Sequence, residues 1–262
     1  MLRWGIAALS LGALLGLTTT VHAADQKPVR VLMVLGSPPF HKIYDFGDSV
    51  QKTLKDIGGF EVTRLEPPRT GKPDNSAHLK KLADLKRADY DVLLFYTSLM
   101  QLTPEEEQGL KNFVDEGGGI VAVHGASLSF KKSEFWKHLI GAEFKGHIPG
   151  THELNIVIVD RNHPITRGVH NFQIVDEEYK HTFVDEPRHV LARFRERPKG
   201  SDQSENMDIL WTRTVGKGRL FYSALGHDQQ AWNNPNWQKL IAQGLCWAAG
   251  RPREVRVSSA AK

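Results

Sequence analysis

The sequence predicts an α/β fold, a doubly wound parallel sheet that a mostly antiparallel β section extends within a single domain. Apolar strand patterns and helical patterns alternate four times over about 115 residues of the first half, which is typical of a parallel sheet with helical connections. The second half consists mainly of strand patterns separated by turns. No linker divides the two halves, so one domain is expected.

The predicted elements of the first half follow one another closely. Val29 to Gly36 is a continuous apolar run that ends in glycine, as expected for a strand buried on both faces. The next elements are the helix IYDFGDSVQKTLKDIGG, the strand FEVTRLE, the helix SAHLKKLADLKRA, the strand YDVLLFYT, the helix TPEEEQGLKNFVDEGGG, the strand IVAVHG and the helix SEFWKHLIG. Thr103 as N-cap and Pro104 at the first helical position mark the start of the third helix.

The second half is predicted to be a set of strands closed by a helix. The strand patterns are HELNIVIVD, NFQIVDEEYKHTF, HVLARFRE and MDILWTRTVGKGRLFYSALGH, the last with a tight hairpin turn at VGKGR. NPNWQKLIAQGLCWAAG predicts the closing helix. Its Cys246 is the only cysteine of the chain, and we expect it to be buried and structural.

Both ends of the chain are predicted to lie outside the domain, which spans residues 28–250. Residues 1–23 resemble a signal peptide, because Arg3 precedes an apolar run and Val21 to Ala23 fit a small-x-small cleavage site. We therefore expect a periplasmic or secreted protein, without stable membrane insertion after cleavage. Residues 251–262 are expected to form a basic disordered tail.

The net positive charge comes from these ends. The chain has 34 basic and 30 acidic residues, and without Arg3 and the final twelve residues 29 of each remain. A domain without a basic face is not expected to bind nucleic acid as its main partner. We expect a small-molecule partner instead, and the sequence leaves a homo-oligomer open.

The stretch GGGIVAVHGAS, Gly117 to Ser127, combines a glycine-rich turn, a buried strand and a sharp junction at His124. Junctions of this kind often carry a nucleophilic serine or cysteine, but this one carries a histidine. GASLS does not fit GxSxG, so covalent acyl chemistry is disfavoured. No GxxxxGK[ST] occurs and no GxGxxG follows the first strand, so phosphate binding is unsupported.

Three histidines follow strand patterns, at the sheet edge where open parallel sheets bind ligands. His41 comes after the first strand, His124 ends the fourth, and His227 follows FYSALG late in the chain. A polar ring at the end of an apolar strand must find a partner in the core or line a cavity. Both roles stay open for His124 and His227 at this point.

The segment DEEYKH adds a carboxylate to these candidates. Strand alternation would place Glu177, Tyr179 and His181 on one face, with Asp176 and Glu178 on the other. Histidines and a carboxylate can bind zinc or another divalent ion, and they can also act without metal as general acid and base. The chain has no HExxH or CxxC, so a metal site would have to be assembled from distant segments.

Six segments in order resemble the ThuA-like family, named for trehalose utilisation. They are GGGIVAVHGA, LIGAEFKGH, VDRNHPITRGV, VDEEYKH, LWTRTVGKGRLFYSALGH and LCWAAG. The resemblance covers nearly the whole chain after the predicted signal peptide. It implies a flavodoxin-like sheet similar to class I glutamine amidotransferase-like domains. In those amidotransferases the equivalent elbow carries the catalytic cysteine, so His124 implies that amidotransferase chemistry is absent.

Matching positions of the resemblance, together with the residues around them, give a set of expected site residues. The expected catalytic residues are His124 and Glu177. The expected ligands of a divalent ion, in the first place zinc, are His124, His147 and His227. The expected substrate contacts are His41, Tyr179 and Trp232.

The family association with bacterial sugar utilisation favours an exported enzyme. It would act on a glycoside or its keto derivative by lyase, isomerase or hydrolase chemistry, either metal-assisted or through His and Glu as acid and base. One alternative is a periplasmic sugar-binding or accessory protein without turnover. Another is a structural module in which the histidines only satisfy hydrogen bonds of the core.

Overall fold

A large mixed sheet forms the centre of the protein in the computed structural model, which describes residues 27–69 and 77–257. The strands are β1 (Val29–Gly36), β2 (Phe60–Leu65), β3 (Val92–Thr97), β4 (Gly119–Val123), β5 (Ala142–Gly146), β6 (His152–Ile158), β7 (Phe172–Asp176), β8 (Lys180–Phe183), β9 (His189–Phe194), β10 (Asp208–Val215) and β11 (Gly218–Ser223). The helices are α1 (Ile43–Ile57), α2 (Pro104–Asp115), α3 (Glu134–Ile140), α4 (Gln229–Trp232) and α5 (Pro235–Ala248).

The sheet joins a parallel and an antiparallel section, which confirms the predicted α/β class. Nine strands lie in the order β2-β1-β3-β4-β11-β10-β9-β6-β7. The strands from β2 to β11 are parallel to one another, and β10, β9, β6 and β7 continue the sheet in antiparallel fashion. β5 and β8 form a separate two-stranded antiparallel sheet, which the sequence did not predict.

Local sequence signals explain several element boundaries. The Thr103 hydroxyl accepts the Glu106 N–H and the Glu106 carboxylate accepts the Thr103 N–H, a capping box with Pro104 at the first helical position. β10 and β11 form the predicted hairpin. One predicted helix differs, because Ala77–Asp84 is a 3₁₀ helix whose Leu82 carbonyl lies directly against Gly109 of α2.

The last helix and the chain after it pack on the domain. Cys246 is fully buried, as expected, and burial raises the pKa of its thiol. The predicted disordered tail is wrong for residues 251–257. Val255 is buried there, and its N–H donates to the Gln243 side chain at 3.1 Å, so an apolar anchor and a hydrogen bond hold this segment.

Two predictions for the chain ends concern residues that the structure does not describe. The predicted signal peptide, residues 1–23, and the end of the predicted tail, residues 258–262, lie outside the described residues. Within residues 27–69 and 77–257, no helix has the length and apolar character that a membrane span requires.

Candidate functional site

Four side chains from distant segments meet at the carboxyl edge of the parallel strands. His41 follows β1, His124 follows β4, and His227 follows β11, while Glu177 follows the antiparallel strand β7. One potential ligand atom from each lies within 4.8 Å of those of the other three. We call these four residues the histidine–glutamate cluster. Three of its members were expected at this edge, because the ends of parallel strands coincide there.

His124 stands at the centre of this cluster. Its ring is fully buried, and Nδ1–H donates to the Ala224 carbonyl at 2.9 Å. Nε2 therefore faces the site, 3.2 Å from Glu177 Oε2 and 3.3 Å from His227 Nδ1. Two ring nitrogens and one carboxylate oxygen converge there, and a proton or a metal ion can lie between them.

The backbone at His124 is strained in a way that fits a sharp elbow. Its φ is +51°, in the left-handed region that non-glycine residues rarely adopt. The next residue, Gly125, lets two strand ends approach it. A Cβ at that position would lie 2.9 Å from His41 Cε1 and 3.0 Å from the Thr97 carbonyl oxygen. Glycine thus allows His41 to reach the cluster.

His41 is almost buried and stays neutral. Burial, followed by the neighbouring rings of His124 and His227, lowers its pKa to about 3. Its Nδ1 lies 3.0 Å from the Ser37 hydroxyl. A neutral imidazole has one unprotonated nitrogen, which is the form that binds a metal ion.

Glu177 supplies the negative charge of the cluster. Burial raises its pKa, but hydrogen bonds to His124 and His227 outweigh this and hold the pKa below its usual value. Oε2 contacts His227 Nδ1 at 3.3 Å, and Oε1 lies 3.7 Å from His147 Nε2. The carboxylate is therefore ionised, with one oxygen among the cluster histidines and the other directed to His147.

His227 is fixed through its backbone. Its N–H donates to Asp176 Oδ1 at 3.1 Å, and its carbonyl accepts the Tyr96 hydroxyl at 2.8 Å. Burial lowers the pKa of the ring, but the Glu177 carboxylate raises this pKa by a larger amount, so the net shift is upward. The side chain is 21% exposed, which gives the cluster access to solvent.

Asp176 is a site residue that sequence reasoning placed on the wrong face. β7 ends at Asp176 and β8 starts at Lys180, so strand alternation does not extend through residues 177–179. The fully buried Asp176 carboxylate accepts the N–H groups of Gly226 at 2.6 Å, Glu177 at 2.8 Å and His227. It therefore holds the backbone of two cluster residues.

The histidine–glutamate cluster differs from the predicted ligand set at one position. His147 is not one of the four, because it follows β5 of the small sheet and reaches only the far oxygen of Glu177. Its Nδ1–H donates to the Ile148 carbonyl at 2.7 Å. His41, expected to contact substrate, takes the place among the ligand atoms instead.

Two predicted substrate contacts are parts of the packed support of the site. Tyr179 is 2% exposed and stacks on the His124 ring, with centroids 4.0 Å apart. Trp232 is 1% exposed, and its indole N–H donates to the Gly226 carbonyl at 2.7 Å. Neither ring presents a face to a substrate, because each is packed against the element that it positions.

A buried polar network supports the elbow from below. The Tyr222 hydroxyl lies 2.9 Å from both the His124 carbonyl and the Ser127 hydroxyl, and His181 Nε2 lies 3.1 Å from the same Tyr222 oxygen. Burial lowers the pKa of His181 to about 3. Sequence alternation had placed His181 on the face of Glu177, but it did not indicate Tyr222 as its partner.

Replacing Asp176 tests how the cluster is held. In Asp176→Asn, an NH₂ group replaces one of the two accepting oxygens. This donor then faces a backbone N–H, which is also a donor, so the hydrogen bond is lost. We expect the free energy of unfolding, measured in urea, to fall by about 1–3 kcal/mol. Asp228→Asn is the matched control, since Asp228 caps α4 and asparagine caps helices equally well. Equal stability of the two variants would contradict the role of Asp176.

His181 makes the stability of the fold depend on pH. The unfolded chain protonates this ring below its usual pKa of 6.5, but the folded protein does so only near 3. The unfolded state therefore binds more protons in this window, and the free energy of unfolding falls as pH decreases through it. His181→Gln should reduce the slope by about 1.4 kcal/mol per pH unit in metal-free protein.

The measurement is urea unfolding at several pH values between 6.5 and 4, with a chelator present. The exposed His170 gives the control, because His170→Gln should retain the wild-type slope. A wild-type slope in His181→Gln would show that the His181 ring does not cause the pH dependence of the free energy of unfolding.

Comparison with known proteins identifies relatives of this fold. The ThuA family model, described as trehalose utilisation, matches residues 30–248. A ThuA-like protein from Parabacteroides merdae ATCC 43184 superimposes with a TM-score of 0.73 at 19% identity, over 87% of this chain and 92% of that chain. A ThuA-like protein from Bacteroides uniformis ATCC 8492 follows with a TM-score of 0.64 at 15% identity, over 86% and 94% of the two chains.

The same fold also occurs as one part of larger enzymes. A β-galactosidase from Bacillus circulans sp. alkalophilus matches with a TM-score of 0.55 at 16% identity, over 86% of this chain but only 32% of that chain. The comparison with curated protein sequences gave no match. Since the family model spans most of the described residues, the chain belongs to the ThuA family of carbohydrate utilisation.

Proposed function

We propose that this protein is a metal-dependent enzyme that acts on a glycoside or a keto-sugar derivative, by lyase, isomerase or hydrolase chemistry. The observation that carries the proposal is the convergence of three imidazoles and a carboxylate within 4.8 Å at the ligand-binding edge of the sheet. Nitrogen and carboxylate donors of this kind suit zinc, which we take as the expected ion.

The donor chemistry fits a divalent cation. His124 directs Nε2 to the cluster because its Nδ1–H donates to the Ala224 carbonyl, and His41 is kept neutral by burial. Such second hydrogen bonds are typical of metal-binding histidines, since they fix the tautomer and the ring orientation. His41, His124 and His227 would hold the ion. It would supply a Lewis acid for a carbonyl or hydroxyl oxygen of the substrate.

Glu177 is suited to move a proton. Its Oε2 is surrounded by cluster histidines, but Oε1 faces His147, which is only half-buried. An ionised carboxylate at this place can take a proton from a C–H or O–H group next to the polarised oxygen, and His147 is near enough to relay it. His124 is fully buried and serves as a ligand in this scheme, not as a proton carrier.

Metal content tests the first part of the proposal. Wild-type protein, stripped and then loaded with zinc, should retain about one ion per chain by elemental analysis. His227→Ala should weaken zinc binding about 10–100-fold or more, because a ligand is lost, whereas the exposed His170→Ala should bind as the wild type does. Failure of the wild type to bind any divalent ion would refute the metal site.

Conversion of a carbohydrate tests the second part. The zinc-loaded protein is incubated with trehalose and with 3-keto-trehalose, and products are followed by NMR. Conversion that is lost in Glu177→Gln, while zinc remains bound, is the expected result. Binding of these sugars without conversion would favour the alternative, a sugar-binding or accessory protein without turnover.

We further propose that the protein works in the periplasm or is secreted, and that it does not bind nucleic acid. The proposal is supported by Arg3 and the apolar run of the first 23 residues, and by the balance of charges in the domain. N-terminal sequencing of the protein from its native cells should begin at Ala24. An intact Met1 in a cytoplasmic fraction would refute export. We propose no specific oligomer, and light scattering of the purified protein decides whether one forms.

A further inference from the structure

Two large apolar side chains stand exposed at the sheet edge that carries the histidine–glutamate cluster. Among residues 27–69 and 77–257, the large hydrophobic residues with strongly exposed side chains are Phe40, Leu99 and Val159. Phe40 is 53% exposed and directly precedes His41, while Leu99 is 46% exposed and follows β3. Val159 follows β6 in the antiparallel section. Exposed apolar groups beside a polar cluster call for an explanation, because water solvates them poorly.

The backbone brings Phe40 and Leu99 to the same edge of the sheet. β1 and β3 are neighbours, with Gly36 and Thr97 paired at their ends. The Ser98 N–H donates to the Gly36 carbonyl at 2.8 Å, which ties the two loops together. The Phe40 ring packs edge-on against His41, with centroids 4.9 Å apart. Phe40 therefore adjoins a cluster residue directly, and Leu99 follows the neighbouring strand at the same edge.

Backbone restrictions at Phe40 and Leu99 limit the positions that their exposed side chains can take. Pro38 and Pro39 precede Phe40 and fix two successive φ angles, so this loop has few alternative conformations. Leu99 has a φ of +56°, which disfavours any residue with a Cβ. Backbone strain of this kind persists only where the surrounding structure holds it, and it is concentrated at ligand sites.

We propose that Phe40 and Leu99 form a platform that stacks on the apolar face of a hexopyranose ring of the substrate. One face of a pyranose exposes mainly C–H groups, while its hydroxyl groups point outward around the rim. An aromatic ring and a branched aliphatic group match that face. The hydroxyl and carbonyl oxygens at the rim would then lie toward the cluster. This inference rests on the proposed function, since it needs a carbohydrate substrate.

Binding measurements with two probes test the platform. Zinc-loaded protein is titrated calorimetrically with trehalose and with 4-nitrophenyl α-D-glucopyranoside. Phe40→Ala should weaken binding of both probes about tenfold, because a stacking surface is lost. Phe40→Trp should restore binding, and Val159→Ala, which removes the third exposed side chain, should leave it unchanged. Zinc content should be the same in all these variants.

Leu99→Gly gives a second test, in which loss of folding cannot explain weaker binding. Glycine adopts a φ of +56° without strain, so the melting temperature should stay the same or rise. Binding of both probes should weaken all the same, because the side chain is lost. Unchanged binding of both probes by Leu99→Gly, at any melting temperature, would overturn the role of Leu99.

The outcomes separate this inference from the proposed function. Normal trehalose binding by Phe40→Ala would overturn the platform and leave the metal site standing. Weakened binding of the nitrophenyl glycoside alone would show that the platform contacts the aglycone, which also overturns the proposal. If the zinc-loaded wild type binds neither probe, the platform and the carbohydrate part of the proposed function fail together, while zinc content still reports on the metal site.

Discussion

The candidate site depends on the buried carboxylate of Asp176, which joins two distant parts of the sheet. Asp176 ends β7, the edge strand of the antiparallel section, and it accepts the N–H groups of Gly226 and His227, which follow the parallel strand β11. A buried carboxylate needs several donors because burial penalises its charge, and the backbone supplies them here. The same interaction fixes the start of the segment that carries Glu177. Ligand atoms from both sections can therefore meet at one edge.

The charges of the four cluster side chains favour the binding of a cation. Burial and neighbouring rings keep His41 neutral, and His124 and His227 keep Glu177 ionised despite its burial. Adding protons to several adjacent rings is unfavourable, because like charges repel over these short distances. One divalent ion at the point where the potential ligand atoms converge could be held by the three histidines, with the Glu177 carboxylate beside it. Such an ion would explain why four polar side chains gather at a largely buried edge of the sheet.

Topology could be predicted from the sequence, but side-chain exposure could not. Alternating strand and helix patterns predict the parallel sheet, and strand ends place His41, His124 and His227 at one edge. The position of His147 depends on how the unpredicted β5–β8 sheet folds over that edge. Tyr179 and Trp232 are aromatic residues near site residues, and only tertiary packing decides between core and substrate contact. For Asp176, alternation failed because the strand ends at that residue.

Left-handed backbone at the sheet edge explains how the elbow holds the His124 imidazole in place. Leu99, His124 and Phe130 are the non-glycine residues of the described chain with left-handed φ, and all three lie in the segments that follow β3 and β4. At His124 this strain is offset by two hydrogen bonds, since the ring donates to Ala224 and the carbonyl accepts from Tyr222. An elbow held in this way fixes the position of its side chain whatever the chemistry of that side chain. A cysteine there would act as a nucleophile with an adjacent base, whereas His124 lies among His41, Glu177 and His227, which three other segments provide. His124 is thus a fixed member of a four-residue arrangement and not a position that has lost its nucleophile.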